Sequence, residues 1–444
     1  MFERKVYQEL LRWKNDYCPR YACLLEGARR VGKTTIALEF AKREFETHIM
    51  VDFAQASKSI MSVFKDIADL ELFFLRLQAE TGITLVKGKS VIIFDEVQLY
   101  PKARQAIKYL VADGRYAYME TGSLISIRKN VNGIVIPSEE HRIPVYPMDY
   151  EEFLWATGGN ADILKQVTEK GTALGDATNR KLMRDFRIYM AVGGMPQAVD
   201  TYIRENNFAA VDKVKREIIS LYMEDLKKID KSGRLSNMYK AIPAQLALGK
   251  KKYVITAATG KQKTSKDDER IFDLIDSKMV LPCYHVSNPN VSLSQTMDLD
   301  TYKLYVSDIG LFTTLLFNDA ENGREDIYKK LLSDSLPADL GYMYENVVAQ
   351  LLVSKGRNLY YHTWKKEDSS HYYEIDFLLT EKTKLVAIEV KSSSVRNHKS
   401  IDAFKKKYSR TVGKRYLFSQ KDAAKEGSLS FKPIYMLQFM QTFQ

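Results

Sequence analysis

Eight residues near the start of the chain, Gly27-Ala28-Arg29-Arg30-Val31-Gly32-Lys33-Thr34, limit what it can fold into more than any other feature. They fit the pattern G-x-x-x-x-G-K-[ST], a loop whose backbone amides wrap an anion. The flanks have the order such a loop requires. The apolar run Tyr21 to Leu25 reads as a buried strand entering it, and Thr35 to Phe45, with Ile36, Leu38 and Phe40, reads as a helix leaving it. Gly27 and Gly32 let the backbone turn and approach a phosphate where a Cβ would clash. The loop amides and the positive end of the helix dipole then hold the anion. Lys33 is the group to reach β- and γ-phosphates, and the Thr34 hydroxyl the one to ligate magnesium. Gly27 through Thr35 are therefore the candidate ATP-binding residues, with ATP and Mg2+ as the expected cofactors.

A loop of this class works with an acidic strand end. Val91-Ile92-Ile93-Phe94 is a continuous apolar run, typical of a strand covered on both faces, and it ends in Asp95-Glu96. Asp95, with Thr34, is the candidate metal-binding residue, and Glu96 the candidate general base for the attacking water. Gln98 either orients that water or caps the next turn. A further strand, Tyr116 to Glu120, runs into Thr121-Gly122-Ser123, where Thr121 or Ser123 is placed to sense a γ-phosphate, although the tripeptide is also an ordinary turn. Arg128 and Arg142 follow; each is a candidate arginine finger or a plain surface ion-pair partner.

Composition removes several classes of function. Of 444 residues, 45% are apolar and 28% charged, as in globular proteins, and no apolar run approaches the length of a membrane span. Met1-Phe2-Glu3-Arg4-Lys5 lacks the apolar core of a signal peptide. With only Cys18, Cys23 and Cys283, a disulfide framework is not expected and a reducing cytoplasm fits; the scattered histidines give no zinc spacing. The net charge of +11 permits a nucleic-acid or acidic-protein partner. Lys384, Lys391, Arg396, Lys399, Lys405, Lys406, Lys407, Arg410, Lys414 and Arg415 concentrate positive charge near the C-terminus, against Glu389 and Asp402. That cluster is either a phosphate-contacting face for DNA or a solvated helix face.

Alternating strands and helices run to about Asp149, with Val145 to Met148 read as the last strand of a parallel sheet wrapped by helices. Residues 151–228 are helical in pattern, broken at Gly158-Gly159 and at Gly193-Gly194-Met195-Pro196, and read as a helical lid. Residues 229–300 run helix, break, helix and then a strand near Val280 to Val286, the order of a winged helix-turn-helix. Residues 301–444 return to mixed strands and helices.

This last segment carries a second constellation. Gly341 to Ser354 reads as a helix bearing Glu345, Tyr373 to Leu379 as a strand bearing Asp376, and Leu385 to Lys391 as its partner. Alternation puts Glu389 and Lys391 on one strand face. If the strands pair, Asp376, Glu389 and Lys391 converge, with Glu345 arriving from the helix. Two carboxylates that fix a metal, here Asp376 and Glu389, beside a lysine are what a magnesium-dependent phosphodiesterase needs. The same pattern also describes a half-buried hairpin with a charged face, or a docking module without chemistry.

On these residues the chain resembles the bacterial and archaeal ATPases of the AAA superfamily whose C-terminal part is the DUF4143 domain. The resemblance rests on Gly27 to Thr35, Ile93 to Gln98, Glu120 to Ser123, Tyr189 to Val199, Tyr302 to Leu311, Glu374 to Leu379 and Ala387 to Ser392. It implies an α/β fold: a P-loop AAA-type parallel-sheet core (1–150), a helical lid (151–228), a winged-helix-like segment (229–300) and a C-terminal α/β domain resembling PD-(D/E)xK nucleases (301–444). It implies that Lys33 and Thr34 bind nucleotide and magnesium, that Asp95 and Glu96 serve hydrolysis, and that Asp376, Glu389 and Lys391 form a nuclease-like signature. AAA-type sites are commonly completed between subunits, so a homo-oligomer is among the expected partners, with DNA. Two residues depart from the family pattern. His141 precedes Arg142 where a glycine is usual, which counts against Arg142 as a finger, and Ile375 stands where the nuclease signature has proline.

Overall fold

A computed structural model describes residues 1–122, 137–317, 328–329, 331–333, 341–367, 369–392 and 398–443. The chain divides into two compact units, residues 1–146 with 276–278, and residues 147–275 with 279–444.

The first unit is built on β1 (Ala22–Glu26), β2 (Thr47–Asp52), β3 (Ser90–Asp95), β4 (Ala117–Gly122) and β5 (Glu140–Pro144). They form one sheet in the order β2-β3-β4-β1-β5, and every neighbouring pair is parallel. Parallel strands need crossovers that cover both sheet faces, so their sequences read as unbroken apolar runs rather than alternating ones. Every residue of β3 is buried. On one face Ile49, Phe73, Ile92, Phe94, Ile107 and Tyr118 belong to a common apolar core. The helix Lys33–Glu44 buries Ile36, Ala37, Phe40 and Ala41; sequestering a side chain such as Phe40 is worth about 1.5–3 kcal/mol.

Two expectations shift here. The helix after the glycine loop starts at Lys33 rather than Thr35, because Gly32, at φ 94°, makes the turn by itself. The last strand of the sheet is Glu140–Pro144, not Val145 to Met148. Val145 still donates its N–H to the Glu26 carbonyl at 2.7 Å, but Pro144 and Pro147 lack the amides to extend the ladder.

The second unit opens with helix Tyr150–Thr157, whose first turn is closed by a reciprocal cap. Glu152 N donates to Asp149 Oδ1 at 3.0 Å and Asp149 N to Glu152 Oε2 at 3.1 Å. Helices Ala161–Lys170, Asp176–Val192, Pro196–Glu205 and Phe208–Ile229 follow. The expected break at Gly193-Gly194 is a close approach of backbones: a Cβ on Gly194 would lie 2.0 Å from the Met148 carbonyl oxygen. The Gly194 N–H is held by Asp308 Oδ2 at 2.6 Å.

Short helices Arg234–Lys240, Ile242–Ala247, Ile255–Thr259 and Asp267–Asp276 lead to the antiparallel pair β6 (Val280–Val286) and β7 (Met297–Val306). That is the order of a winged helix-turn-helix, but the hairpin does not stand alone. With β8 (Leu359–Lys365), β9 (Tyr372–Glu381), β10 (Lys384–Val390), β11 (Val412–Ser419), β12 (Ala424–Glu426) and β13 (Leu429–Pro433) it forms a mixed eight-stranded sheet, ordered β12-β13-β11-β10-β9-β8-β6-β7. The expected division at residue 300 falls inside β7. The helical segment is bonded to the far end of the chain within the same unit. Asn179 Nδ2 donates to the Gln420 carbonyl at 2.9 Å, Tyr435 OH to Asn179 Oδ1 at 3.1 Å, and Gln438 Nε2 to Asp149 Oδ2 at 3.0 Å.

Candidate functional site

In the first unit the glycine loop joins the C-terminal end of β1 to the N-terminus of helix Lys33–Glu44, the place where ligands of parallel sheets bind. A Cβ on Gly27 would meet the Val145 carbonyl oxygen at 2.2 Å, so the loop follows a path only glycine permits. Arg30 at φ 69° and Gly32 at φ 94° both take left-handed backbone, the kind of conformation from which anion-binding nests of amides are built. Lys33 is buried, and its ammonium donates to the carbonyls of Gly27 at 3.0 Å and Ala28 at 2.9 Å. Burial pushes its pKa down to about 8, opposed by the nearby carboxylates of Glu96 and Asp95. A buried cation held by loop carbonyls is ready to exchange them for a stronger anionic acceptor.

Asp95 ends the buried strand β3, and three motifs separated in sequence meet on it. Thr34 Oγ1 donates to Asp95 Oδ1 at 2.8 Å, and Thr121 Oγ1, from the end of β4, donates to the same oxygen. The chemistry of this pair, a hydroxyl and a carboxylate side by side, fits a hydrated magnesium ion. Glu96 adopts the left-handed region at φ 53°, uncommon for a residue with a Cβ, and Gln98 Nε2 donates to Glu96 Oε2. The backbone thus turns sharply at the candidate base, and Gln98 fixes that carboxylate. Of the remaining loop residues, Thr35 and Arg30 are exposed while Ala28 and Val31 are buried. Ser123 and Arg128 lie outside the described residues. Arg142, on β5, is committed to Glu26 at 3.3 Å and Glu140 at 3.6 Å.

Behind this site lies a group that the sequence reading missed. Arg104, on helix Pro101–Asp113, grips Glu140 of β5 through Nε and a terminal nitrogen, both at 2.7 Å. Glu120, immediately before Thr121, is fully buried. Burial and then the Glu140 charge push its carboxyl well above the usual carboxylate range.

In the second unit β9 and β10 pair antiparallel with Phe377 opposite Ile388, which puts Asp376 and Glu389 on one face of the sheet. Asp376 Oδ2 accepts the Val390 N–H at 2.8 Å, and the Lys391 ammonium lies 2.7 Å from Glu389 Oε1. Glu345 arrives on helix Gly341–Ser354. The structure adds two members. Glu374 lies two residues before Asp376 on β9, and Lys303 projects from β7, its buried ammonium paired with Glu374 and 3.9 Å from Glu345 Oε2. Tyr305 OH donates to Glu345 Oε2 at 3.3 Å. Burial, reinforced by Glu345 and Glu374, drives the Asp376 carboxyl well above its ordinary range. Burial raises Glu345 too, against the attraction of Lys303. Glu374 was legible by alternation; Lys303 was not, because nothing local sets β7 beside this cluster.

The donors here do not fit a divalent metal as they fit one beside Thr34. Lys303 and Lys391 already hold Glu374 and Glu389, and among the described residues no group of three or more His, Cys, Asp or Glu side chains is disposed to hold a metal ion. The basic C-terminal stretch is also partly neutralised: Lys414 pairs with Glu381 at 2.7 Å and Arg415 with Asp402 at 2.6 Å. Lys399, Lys405, Lys406 and Lys407 share helix Lys399–Lys407, and Arg396 lies outside the described residues. No helix among the described residues is long and apolar enough to cross a membrane.

Residues 19–154 match a family model described as an AAA domain, residues 183–322 one described as a domain of unknown function, DUF8612, and residues 340–437 another, DUF4143. No curated protein matches. Among solved structures, the Walker-type ATPase paby2304 of Pyrococcus abyssi is 16% identical, with a TM-score of 0.44 over 71% of this chain and 96% of that one. The ORC1 protein of Aeropyrum pernix, in complex with DNA, is 15% identical, with a TM-score of 0.26 over 73% of this chain and 94% of that one. AMPPCP-bound DnaA from Aquifex aeolicus is 10% identical, with a TM-score of 0.27 over 62% and 88% of the two chains. With a glycine loop, an acidic strand end and a parallel sheet in the region matched as an AAA domain, and DUF4143 matched near the C-terminus, the chain carries an N-terminal P-loop domain of the AAA type and a C-terminal DUF4143 domain.

Proposed function

We propose that this protein binds ATP at Gly27 to Thr35 and hydrolyses it with magnesium, using turnover to drive or gate C-terminal modules that act on DNA. The observation that carries the reading is the convergence of Lys33, Thr34, Asp95, Glu96 and Thr121 at one end of one sheet. Lys33 exchanges its carbonyl partners for β- and γ-phosphate oxygens. Glu96, held by Gln98, accepts a proton from the attacking water. Thr121 carries the presence of the γ-phosphate into β4. Magnesium, when bound, offsets charge on the transferred phosphoryl group, and Thr34 and Asp95 are the residues that would hold it. The DNA component rests on the net charge of +11 and on the lysines of helix Lys399–Lys407.

The test is the ATPase rate of the full-length protein with and without duplex DNA, beside Lys33→Ala. Wild-type turnover no greater than the variant's under both conditions would sink the enzymatic reading. Light scattering with and without ATP tests for a homo-oligomer. A second reading, a nucleotide-dependent signalling or defence switch with docking domains in place of catalysts, draws support from the acid cluster, where Glu374 and Glu389 are already paired with lysines. Tight nucleotide retention with slow single turnover is its signature. An ATP-gated nuclease would instead cut the same duplex with magnesium, and lose the cut in Asp376→Ala.

A further inference from the structure

We propose that the Lys303 ammonium is the resident cation of the C-terminal acid cluster, standing in the place where a nuclease of this general pattern holds a divalent metal, so that the cluster takes up no divalent ion while Lys303 is there. The argument begins with cost. An ammonium removed from water loses several kcal/mol of hydration, which is recovered only where carboxylates surround it. Lys303 is 6% exposed, and three elements supply its surroundings. Glu374 of β9 pairs with it directly, and Glu345 of helix Gly341–Ser354 stands 3.9 Å away. The face of Tyr361 on β8 lies 5.3 Å from the nitrogen. Despite burial, the carboxylates of Glu374, Glu345 and Asp376 hold the Lys303 pKa above its ordinary value, so it remains charged.

Other oxygens of the cluster are engaged too, although Glu389 Oε2 is buried without a hydrogen-bond partner among the described residues. Asp376 accepts from Val390, Glu389 faces Lys391, and Tyr305, two residues beyond Lys303 on the same face of β7, donates to Glu345. A divalent ion entering here would sit within a few ångströms of a fixed positive charge and would have to strip carboxylates from it. Like charges at about 4–6 Å in a buried site strongly oppose each other. The lysine needs no cofactor to balance the acids. It balances them by tying β7 to β9 and to helix Gly341–Ser354, which makes the cluster a structural junction of the second unit.

Full-length protein without nucleotide, titrated with Mn2+ and followed by electron paramagnetic resonance, tests this directly. Wild type and Asp376→Asn should bind the same number of ions, because none depends on the cluster. Lys303→Gln should gain one ion per chain, and Lys303→Gln/Asp376→Asn should lose that gain. A wild-type ion that disappears in Asp376→Asn would overturn the proposal, and so would a folded Lys303→Gln protein that gains none. If Lys303→Gln does not fold, the comparison of wild type with Asp376→Asn still decides. ATPase rates measured on the same samples report the first unit separately, so loss of ATP turnover and failure of this inference are distinguishable.

Discussion

Replacing Arg104 by methionine should damage the ATPase core more than its distance from the nucleotide loop suggests. In the folded protein the Arg104 and Glu140 side chains are 4% and 1% exposed, and two bonds of 2.7 Å join them. Methionine keeps much of the apolar stem but leaves Glu140 buried beside Glu120, with Arg142 at 3.6 Å as its remaining cation. Breaking a buried pair from one side costs about 3–5 kcal/mol, since the stranded charge keeps its desolvation penalty. For a unit of this size that lowers Tm by on the order of 10 °C. Removing both charges in Arg104→Met/Glu140→Leu should return most of the loss, because an apolar pair of similar volume does as well as a buried ion pair. Urea unfolding followed by circular dichroism, with both single variants and the double, supplies the cycle. A single-variant cost below about 1 kcal/mol, or a double variant no more stable than Arg104→Met, would refute the assignment of this pair as a buried clamp.

Further outcomes follow from other contacts. Glu96→Gln should bind ATP as wild type does while turnover falls roughly 10²–10⁴-fold, the usual contribution of a general base; equal losses of affinity and rate would remove Glu96 from that role. Because the Lys33 pKa lies near 8 in the free protein and only its charged form pairs with phosphate, ATP binding above pH 8 should take up a proton and weaken as pH rises to 9. Calorimetry in buffers of different ionisation enthalpy reads that uptake, and Lys33→Met should abolish it. Buried His362 gives its Nδ1 to the Val286 carbonyl contact and its Nε2 to Tyr408, and burial lowers its pKa to about 4. Its neutral form is favoured by folding, so this contribution is complete above about pH 6.5 and is lost as pH falls from there to 4, by about 3 kcal/mol at most. His362→Gln should flatten stability across that window. Gly194→Ala should fold poorly, as its Cβ would lie 2.0 Å from the Met148 carbonyl oxygen, and limited proteolysis would detect the loosened junction.

The parts of this molecule that were legible in its sequence are those whose chemistry is local. A glycine loop between an apolar run and a helix specifies its own geometry, and Asp95 was found because a strand buried on both faces ends abruptly in acid. Helix Gly341–Ser354 and the pairing of β9 with β10 follow from short-range pattern, which is why Glu345, Asp376, Glu389 and Lys391 could be named. Lys303 could not, because β7 reaches the cluster only through β6, and β6 pairs with β8 across more than 70 residues of chain. Arg104 was hidden for a different reason: on a helix it looks like any solvated arginine until β5 brings Glu140 against it. Val145 to Met148 has the apolar content of a strand, but the sheet stops at Pro144 because the prolines lack the amides to continue it.

The eight-stranded sheet has a consequence for how the protein is made. A ribosome releases β6 long before β8 exists, and helix Asp176–Val192 must wait for Gln420 and Tyr435 to emerge before Asn179 finds its partners. At about 5–20 residues per second the nascent second unit spends at least ten seconds with its apolar faces uncovered. The first unit, complete by residue 146 apart from 276–278, is free to fold while that happens. Ribosome-associated chaperones should therefore engage this chain once synthesis has passed residue 150, and a stop codon before residue 420 should yield a protein with a sound P-loop and an aggregating tail.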